Sequence, residues 1–370
     1  MTRSRATAGS FVPQYLASWL RGPADPRPVY VTLFVTAKCD ARCPHCFYIP
    51  RIENSKAIED LSCDEIERIA RTMPPFYKLL LSGGEPFLRP DLPRVCRAFA
   101  DHCDTRQITI PTNALHPARI ERQVREMADD GRVLWEIALS IDGVGEMHDE
   151  IRRVPGAFAR LTETFERLRN LAMHVDNLVV RFNITVSRRN QDRLLDILDH
   201  VENVWRHDLV DMTLIRGEAH DPDWKNVDAE KYREASRRLY AGKTSTGGPF
   251  RKALARRTML EKSIIAARAE GQVVPLRCLA GSRTAIITED GEVRPCEMLD
   301  VSFGNLREAD YDFGRLWNGD TARQFRRFLA ESDCACTFET ALTTNLVYSP
   351  AAMASLLAGS SFRTLKSTRI

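Results

Sequence analysis

Hydrophobic and polar positions follow two different periods along the first two-thirds of this chain. Short runs rich in Val, Ile and Leu predict six strands, at residues 29–36, 78–82, 107–111, 133–141, 178–186 and 210–215. Between them, apolar residues at helical spacing predict helices at 63–73, 92–102, 117–128, 157–173 and 191–204. Parallel strands joined by helices need right-handed crossovers, so the alternation predicts an α/β fold around a parallel sheet. The pattern leaves open whether the sheet is open or curved into a partial barrel.

The pattern changes after residue 220. Residues 221–271 are helical in pattern and strongly charged, which predicts a bridge between two domains. Residues 283–288 and 292–295 flank Asp290-Gly291, a dipeptide that is typical of a hairpin turn. The predicted organisation is an extension at 1–28, an α/β core at 29–220, the bridge at 221–271, a small α+β domain at 272–340 and a tail at 341–370.

Composition and charge narrow the class of protein. The 370 residues carry 53 basic and 50 acidic side chains, and this balance predicts no nucleic-acid partner. No run approaches the roughly 18 to 20 apolar residues of a membrane span, so no transmembrane segment is predicted. The apolar run at 11–20 is short and contains Pro13, which is untypical of a secretory signal. We therefore expect a cytoplasmic protein.

The ten cysteines fall into three groups. In a cytoplasmic chain such a number favours metal binding over disulfides. Cys63, Cys96 and Cys103 lie in predicted helices and are expected to be core thiols. The candidate metal ligands are Cys39, Cys43 and Cys46 directly after the first strand, and Cys278, Cys296, Cys334 and Cys336 in the last quarter of the chain.

The amino-terminal triad suits an iron–sulfur cluster. Three thiolates within eight residues can hold three corners of a [4Fe–4S] cube and leave the fourth iron without a protein ligand. The alternative is a zinc site, which normally has four closed ligands. His45 is the nearest fourth donor, but its place between two of the cysteines makes it sterically awkward.

The spacing Cys39-x3-Cys43-x2-Cys46, followed by Phe47, resembles the signature of the radical S-adenosylmethionine (SAM) superfamily. The resemblance implies that the open iron binds SAM and that an electron from the cluster cleaves the sulfonium to give a 5′-deoxyadenosyl radical. It also implies a partial (β/α)6 TIM-like barrel, a position of Phe47 near the adenine, and a reductant such as flavodoxin or ferredoxin.

Further segments at strand ends are similar to motifs of the same superfamily. Ser82-Gly83-Gly84-Glu85-Pro86 looks like its GGEP motif, in which glycines allow close approach to the ligand and the carboxylate pairs with the SAM ammonium. By resemblance, the SAM site further includes Thr112, Asn113, Ser140, Asp142 and Asn183, all at carboxyl ends of strands or just beyond. The stretch His148-Asp149-x-x-Arg152 also resembles one that recurs in this superfamily.

The carboxy-terminal cysteines suffice for a second [4Fe–4S] cluster or a structural zinc. The run ending at Cys296, followed by Gly304-Asn305-Leu306 and Trp317, resembles the SPASM or shorter twitch extensions of radical SAM enzymes, which hold auxiliary clusters. A full SPASM domain has seven cysteines, so the four here favour the twitch form with one cluster. The close spacing of Cys334 and Cys336 leaves open whether both bind iron.

The reaction expected from this resemblance is abstraction of a hydrogen atom from a small biosynthetic metabolite, for oxidation or rearrangement. Oxidative maturation of a ribosomally made peptide is the first alternative, although about 28 residues before the first strand are too few for a leader-binding module. Two non-catalytic alternatives are an iron–sulfur electron carrier or sensor and a zinc-stabilised binding protein. No substrate acid or base stands out; Arg216, Glu218, Glu289 and Glu297 are candidates for the pocket wall.

Overall fold

Six parallel strands form the core of the computed structural model, which describes residues 18–20, 25–207, 209–219, 221–245, 249–274 and 276–358. The strands are β1 (Tyr30–Thr36), β2 (Lys78–Gly83), β3 (Gln107–Thr112), β4 (Leu134–Ser140), β5 (Leu178–Val186) and β6 (Val210–Leu214). Their order in the sheet is β6-β5-β4-β3-β2-β1. All six predicted strands are confirmed. Most of the predicted extension and the end of the predicted tail lie outside the described residues.

Helices connect these strands. They are α1 (Ile49–Glu53), α2 (Cys63–Thr72), α3 (Leu92–His102), α4 (Pro117–Ala128), α5 (Glu146–Arg152), α6 (Ala157–Ala172) and α7 (Leu194–Asp199), which continues into a π-helical turn at His200–Val204. Because neighbouring strands are also consecutive in sequence, right-handed crossovers place their helices on one face of the sheet. This topology is that of a partial (β/α)6 barrel, as expected. The described strands do not close it, because β1 pairs with a later strand and not with β6.

The carboxy-terminal part extends the same sheet. After α8 (Ala229–Ser245) and α9 (Pro249–Ala269), the strands β7 (Thr284–Ile287), β8 (Glu292–Arg294) and β9 (Gly304–Asn305) are followed by α10 (Phe313–Trp317), α11 (Asp320–Glu331), α12 (Glu339–Val347) and α13 (Pro350–Ala358). The predicted hairpin is confirmed as β7 and β8. In addition, β7 pairs in parallel with β1, which gives one nine-stranded sheet. The fully buried β7 fits there because every residue of β1 is also buried.

The two faces of the core sheet differ in polarity. Successive residues of a strand point to opposite faces. On one face, apolar side chains such as Leu79, Ile110 and Phe182 pack in the main hydrophobic core. On the other face, alternate residues line a cavity, and they are largely polar: Lys78, Leu80, Ser82, Thr109, Pro111, Ala138, Ser140, Arg181, Asn183, Thr185, Asp211 and Thr213. The sheet thus places a polar cavity on its inner face.

A buried lysine joins α9 to this inner face. The Lys262 side chain is 1% exposed, and its Nζ lies 3.1 Å from Oδ1 of Asp211 on β6. It also donates a hydrogen bond of 2.5 Å to the carbonyl oxygen of Met212. Arg181 on β5 lies 3.6 Å from the same Asp211 carboxylate. Buried charges of this kind are stable only when they are paired, so Lys262 fixes the helical bridge to the core.

Replacing Lys262 with Met is expected to lower the free energy of unfolding by about 1.5–3 kcal/mol, because the Met212 carbonyl oxygen and the partly buried Asp211 carboxylate both lose a charged hydrogen-bond donor. Urea denaturation of the apoprotein, followed by circular dichroism, measures the loss. Lys231→Met is the matched control, since it breaks the exposed pair of Lys231 with Asp192 and should cost less than about 1 kcal/mol. Equal losses in the two variants would contradict the proposed role of Lys262.

Candidate radical SAM and auxiliary cluster site

The loop after β1 carries three thiols to the cavity. Cys39, Cys43 and Cys46 all line it, and they share apolar contacts with Leu115 and Ala157. A tight turn, in which the Cys46 amide donates to the Cys43 carbonyl oxygen at 3.0 Å, brings the last two thiols to the same side of the loop. The structure therefore assembles the predicted triad at the carboxyl end of β1.

The triad thiols need a metal to lose their protons. Burial raises the pKa of Cys39 to about 12 and that of Cys46 to about 11. Burial also raises the pKa of Cys43, although the Arg152 guanidinium, 3.8 Å from its sulfur, acts in the opposite direction. Metal coordination replaces these protons, and soft thiolates suit iron–sulfur clusters. The residues present therefore fit a cluster.

A mononuclear zinc site fits the same residues less well. Zinc–sulfur bonds of about 2.3 Å hold thiolates within about 4 Å of one another. In the part of the chain that the structure describes, no three His, Cys, Asp or Glu side chains are arranged to hold a single metal ion. His45, the alternative zinc ligand, has its Nε2 3.8 Å from the Asp142 carboxylate. In a [4Fe–4S] cube each thiolate binds a different iron, so the sulfur atoms lie farther apart than they do around a single zinc ion.

The two glycines at the end of β2 allow the backbone at Glu85 to pack directly against the start of the cysteine loop. A Cβ on Gly84 would lie 2.0 Å from the carbonyl oxygen of Lys38, and Gly83 has φ +111°. The Gly84 amide donates to Thr36 and the Glu85 amide to Lys38, each at 2.8 Å. Sequence analysis attributed these glycines to close approach of a ligand. The close approach in the structure is between two backbone segments, and it fixes Glu85 beside Cys39.

Glu85 is 2% exposed and lines the cavity. Its carboxylate accepts hydrogen bonds from the Phe87 amide at 3.1 Å, the Thr112 hydroxyl at 2.8 Å and the Asn113 amide at 2.7 Å. Burial raises the pKa of Glu85 to about 7 in spite of these donors. Thr112 and Asn113 therefore orient the Glu85 carboxylate. The Asn113 side chain in addition donates to Asp40 at 2.7 Å.

The predicted residues of β4 and β5 divide into two groups. Ser140 and Asn183 line the cavity, and the Asn183 side chain accepts from the Thr213 hydroxyl at 3.0 Å. Asp142 is fully buried and is not among the lining residues. Its carboxylate accepts from the Thr185 amide at 2.9 Å and lies 2.6 Å from Nη2 of Arg152. Its observed contacts are therefore with the protein, which places it behind the wall of the cavity.

Arg152, at the end of α5, belongs to the cavity wall although sequence analysis gave it no site role. Asp142 holds one end of the guanidinium and the Cys43 sulfur faces the other. Its Nε is buried and has no hydrogen-bond partner. The signal in the sequence was the His148-Asp149-x-x-Arg152 stretch, in which Asp149 accepts from the amides of the following turn at 2.7 Å.

Phe47 reaches the opposite wall of the cavity. The Arg216 guanidinium lies 5.4 Å from the centre of its ring and 4.7 Å from that of Phe338. Arg216 also pairs with Glu297 at 2.9 Å, and the Glu297 side chain is 2% exposed. Of the four candidates for the pocket wall, only Arg216 lines the cavity. Glu289 instead accepts hydrogen bonds from Tyr48 and Arg51, which ties the hairpin to the cysteine loop.

The four carboxy-terminal cysteines converge from separate segments. Cys278 precedes β7, Cys296 follows β8, and Cys334 and Cys336 lie between α11 and α12. Cys278 and Cys334 are in hydrogen-bonding reach, which raises the pKa of Cys278 and lowers that of Cys334. Cys336 acts electrostatically on Cys296, whose pKa is raised to about 11 by burial. These thiols form one group, and we call it the auxiliary cysteine group.

The segment from Phe338 through α12, which directly follows Cys336, connects the auxiliary cysteine group to the cavity. Residues Phe338, Glu339, Thr340 and Thr343 of this segment line the cavity, which has a volume of about 410 Å³. One carboxylate oxygen of Glu339 accepts from the Leu214 amide at 2.9 Å, and the other is buried without a hydrogen-bond partner. Burial raises the pKa of Glu339 to about 7, against the effects of Lys262 and Arg216. The sequence carries no signal for Glu339, because nothing local distinguishes it from other helical glutamates.

The three remaining cysteines are core thiols, as predicted. Cys63 and Cys96 are buried in α2 and α3, and Cys103, directly after α3, donates to the carbonyl oxygen of Ala70 at 3.3 Å. Within the described ranges, no helix combines the length and apolar composition that a bilayer span requires.

Comparisons with known proteins agree with this geometry. The Radical SAM superfamily model matches residues 33–201, and the SPASM model, an iron–sulfur cluster-binding domain, matches residues 278–337. An AdoMet-dependent heme synthase of Oleidesulfovibrio alaskensis is 28% identical over 312 residues, which are 79% of this chain and 75% of that protein. The subtilosin biosynthesis protein AlbA of Bacillus subtilis is 23% identical over 321 residues, which are 80% of this chain and 63% of that protein.

A solved structure shares the fold. Streptococcus suis SuiB, bound to S-adenosylmethionine, has a TM-score of 0.54 at 17% identity, over 85% of this chain and 69% of that chain. Each of the two matched ranges contains one of the two cysteine groups. The protein therefore uses [4Fe–4S] clusters and SAM. It belongs to the radical SAM superfamily, as an enzyme with a carboxy-terminal SPASM-type domain.

Proposed function

We propose that this enzyme cleaves SAM reductively at a [4Fe–4S] cluster on Cys39, Cys43 and Cys46, and oxidises or rearranges a small metabolite. The observation that carries the proposal is the cavity that the described residues form on the inner face of the sheet. It is lined by these three cysteines, by polar residues at the strand ends and by α12 next to the auxiliary cysteine group. Cofactor, substrate and auxiliary cluster thus meet in one place.

In this proposal the polar cavity wall binds SAM. Glu85 is oriented by three donors and pairs, as the carboxylate, with the ammonium group. The free Nε of Arg152 donates to the carboxylate. Ser140 and Asn183 supply hydrogen bonds to the ribose, and Phe47 contacts the adenine. Asp142 acts through Arg152, which it holds in position.

The cluster, when bound, supplies the electron that cleaves the sulfonium and releases the 5′-deoxyadenosyl radical. The residues of this chain bind, orient and shield. Arg152 holds its positive charge beside Cys43 at 3.8 Å, and the apolar contacts of the cysteine loop with Leu115 and Ala157 exclude water from the triad. External electrons come from a reductant of the flavodoxin or ferredoxin type.

The auxiliary cysteine group would hold one further [4Fe–4S] cluster. Four thiols suffice for its four corners, and all four interact electrostatically with one another in pairs. Of the six remaining cysteines, three would bind the first cluster, and Cys63, Cys96 and Cys103 lie in the core. One auxiliary cluster, as in the twitch form, therefore accounts for the cysteines of the chain.

The cavity favours a small, polar substrate. Apart from Nε of Arg152, the buried atoms without a partner on residues that line the cavity include Oε2 of Glu339 and Nε of Arg257. The contacts of the Arg257 guanidinium with Thr258 and Glu261 are long, at 3.3 and 3.4 Å. A metabolite with hydrogen-bonding groups would satisfy these atoms. The heme synthase relatives also act, by their name, on a small molecule.

A peptide substrate is the second candidate. The likeness to AlbA, a bacteriocin biosynthesis protein, extends over 80% of this chain. A peptide would reach the cavity with one side chain or one end, since a cavity of about 410 Å³ accommodates no more.

Anaerobic reconstitution tests the cluster assignment. The wild-type chain should bind about eight irons, and Cys43→Ala about four, because one corner ligand of the first cluster is lost. Cys43→Ala should also lose reductive SAM cleavage. Iron analysis and quantification of 5′-deoxyadenosine by mass spectrometry measure the two effects.

Two other cysteines serve as controls for this experiment. Cys296→Ala should lose a similar amount of iron but keep SAM cleavage, and Cys96→Ala, which alters a core thiol, should keep both. Formation of 5′-deoxyadenosine by Cys43→Ala would refute the assignment. Tightly held zinc without iron would favour the binding-protein alternative, and clusters that never cleave SAM would favour an electron carrier or sensor.

Gly84→Ala should weaken SAM binding at least about tenfold in a protein that still folds. The added Cβ would lie 2.0 Å from the Lys38 carbonyl oxygen, so Glu85 must move and its bond to the ammonium is lost, at about 1.5–3 kcal/mol. Equilibrium dialysis with labelled SAM measures the affinity. Gly131→Ala is the matched control, since its Cβ would meet nothing within 4 Å. Unchanged affinity in Gly84→Ala would remove Glu85 from the SAM site.

Size-fractionated cell extract tests the substrate class. The fraction of low molecular mass should stimulate formation of 5′-deoxyadenosine, and this stimulation should survive protease treatment. Glu339→Gln should keep the basal SAM cleavage and lose most of the stimulated part, because the carboxylate faces the substrate and lies outside the SAM site. Stimulation that protease destroys would favour the peptide instead. Equal stimulation of wild type and Glu339→Gln would remove Glu339 from the substrate site.

A further inference from the structure

Arg268, in the last turn of α9, has no carboxylate partner among the described residues. One guanidinium nitrogen donates to the carbonyl oxygen of Cys336 at 2.8 Å and another to that of Val274 at 3.2 Å. The third, Nε, is buried without a hydrogen-bond partner. Among the described residues, the titratable groups that act on this guanidinium are Cys336, Cys278 and Cys334.

A half-buried cation without a counter-ion is unfavourable. Removing a charge from water costs several kcal/mol unless an opposite charge compensates it. The Arg268 guanidinium is instead held against the auxiliary cysteine group by its hydrogen bond to the Cys336 carbonyl oxygen at 2.8 Å, and its buried Nε is left without a partner. Arg268 is therefore placed to compensate a negative charge on the auxiliary cysteine group.

The proposed auxiliary cluster carries such a charge. Four thiolates around a [4Fe–4S] core in its oxidised state have a net charge of about −2, and reduction by one electron makes it about −3. A nearby positive charge stabilises the more negative, reduced state. Hydrogen bonds and charge around a cluster are among the factors that set its reduction potential.

We propose that Arg268 is a positioning residue that raises the reduction potential of the auxiliary cluster. This rests on the proposed binding of that cluster by Cys278, Cys296, Cys334 and Cys336. The step concerned is balanced: the cluster gains one electron and no bond to Arg268 is formed or broken. A higher potential makes the cluster a better acceptor for the electron that leaves an oxidised substrate.

The position of α9 supports this role. The same helix presents Arg257 to the cavity and Lys262 to β6, while Arg268 faces the auxiliary cysteine group. Helix α9 therefore extends from the cavity, where the substrate is proposed to bind, to the auxiliary cysteine group, which would hold the electron acceptor. Arg216, which contacts Phe338 two residues after Cys336, is by contrast neutralised by Glu297 at 2.9 Å.

An EPR-monitored redox titration tests the proposal without substrate. The parent protein is the Cys43→Ala variant, in which only the auxiliary cluster should remain and its signal can be followed alone. Arg268→Gln in this background should lower the one-electron reduction equilibrium constant at least about tenfold, a shift of 59 mV. Arg268→Lys keeps the positive charge and should shift the potential less. Arg256→Gln, an exposed site on the same helix, should leave the potential unchanged.

The possible outcomes separate the proposal from its premise. If the parent holds no cluster, the ligand assignment fails and not the role of Arg268. An unchanged potential in Arg268→Gln at full iron content would overturn the proposal. If Arg268→Gln loses the cluster, Arg268→Lys decides: a retained cluster with a potential near that of the parent supports the role of the charge, and loss of the cluster there as well overturns it.

Discussion

The pairing of β1 with strands on both sides is the constraint on which the whole site depends. All seven residues of β1 are buried, β2 pairs with it along one edge and β7 along the other. The cysteine triad follows β1, the Gly-Gly-Glu segment follows β2, and the hairpin after β7 leads to Cys296. Since the carboxyl ends of parallel strands meet at one edge, the register of these three strands brings the cysteine triad, the Gly-Gly-Glu segment and the auxiliary cysteine group together.

Charged contacts then fix the second half of the chain to the first. Arg216 contacts Phe47 and Phe338 while it pairs with Glu297, so it connects the end of β6 to both cysteine-bearing segments. Glu339 accepts from the Leu214 amide in the same region. The helix α12 also runs across the boundary predicted between residues 340 and 341. Its residues belong to the cavity wall and not to a separate tail.

Sequence patterns predicted the strands and motifs well because they are local. Short runs of apolar residues predicted all six core strands, and the cysteine and glycine motifs lie directly at their ends. The patterns did not give Arg152, Glu339 or the pairing of β7 with β1, because each depends on contacts between residues far apart in the chain. The role of Gly84 shows the same limit: its neighbour is Lys38, more than forty positions away.

On the inner face of the sheet, buried polar atoms without a partner indicate where a ligand binds. The buried charges of this face are otherwise matched, as in the contacts of Lys78 and Arg181 with Glu136, at 3.6 and 3.0 Å. Such pairs contribute little net free energy to folding, but they offset the cost of burying each charge. An unmatched polar atom among them keeps that cost and destabilises the fold. Nε of Arg152, Nε of Arg257 and Oε2 of Glu339 are unmatched, and all three side chains line the cavity. A fold that leaves these atoms unpaired on the wall of one cavity is suited to bind polar ligands there.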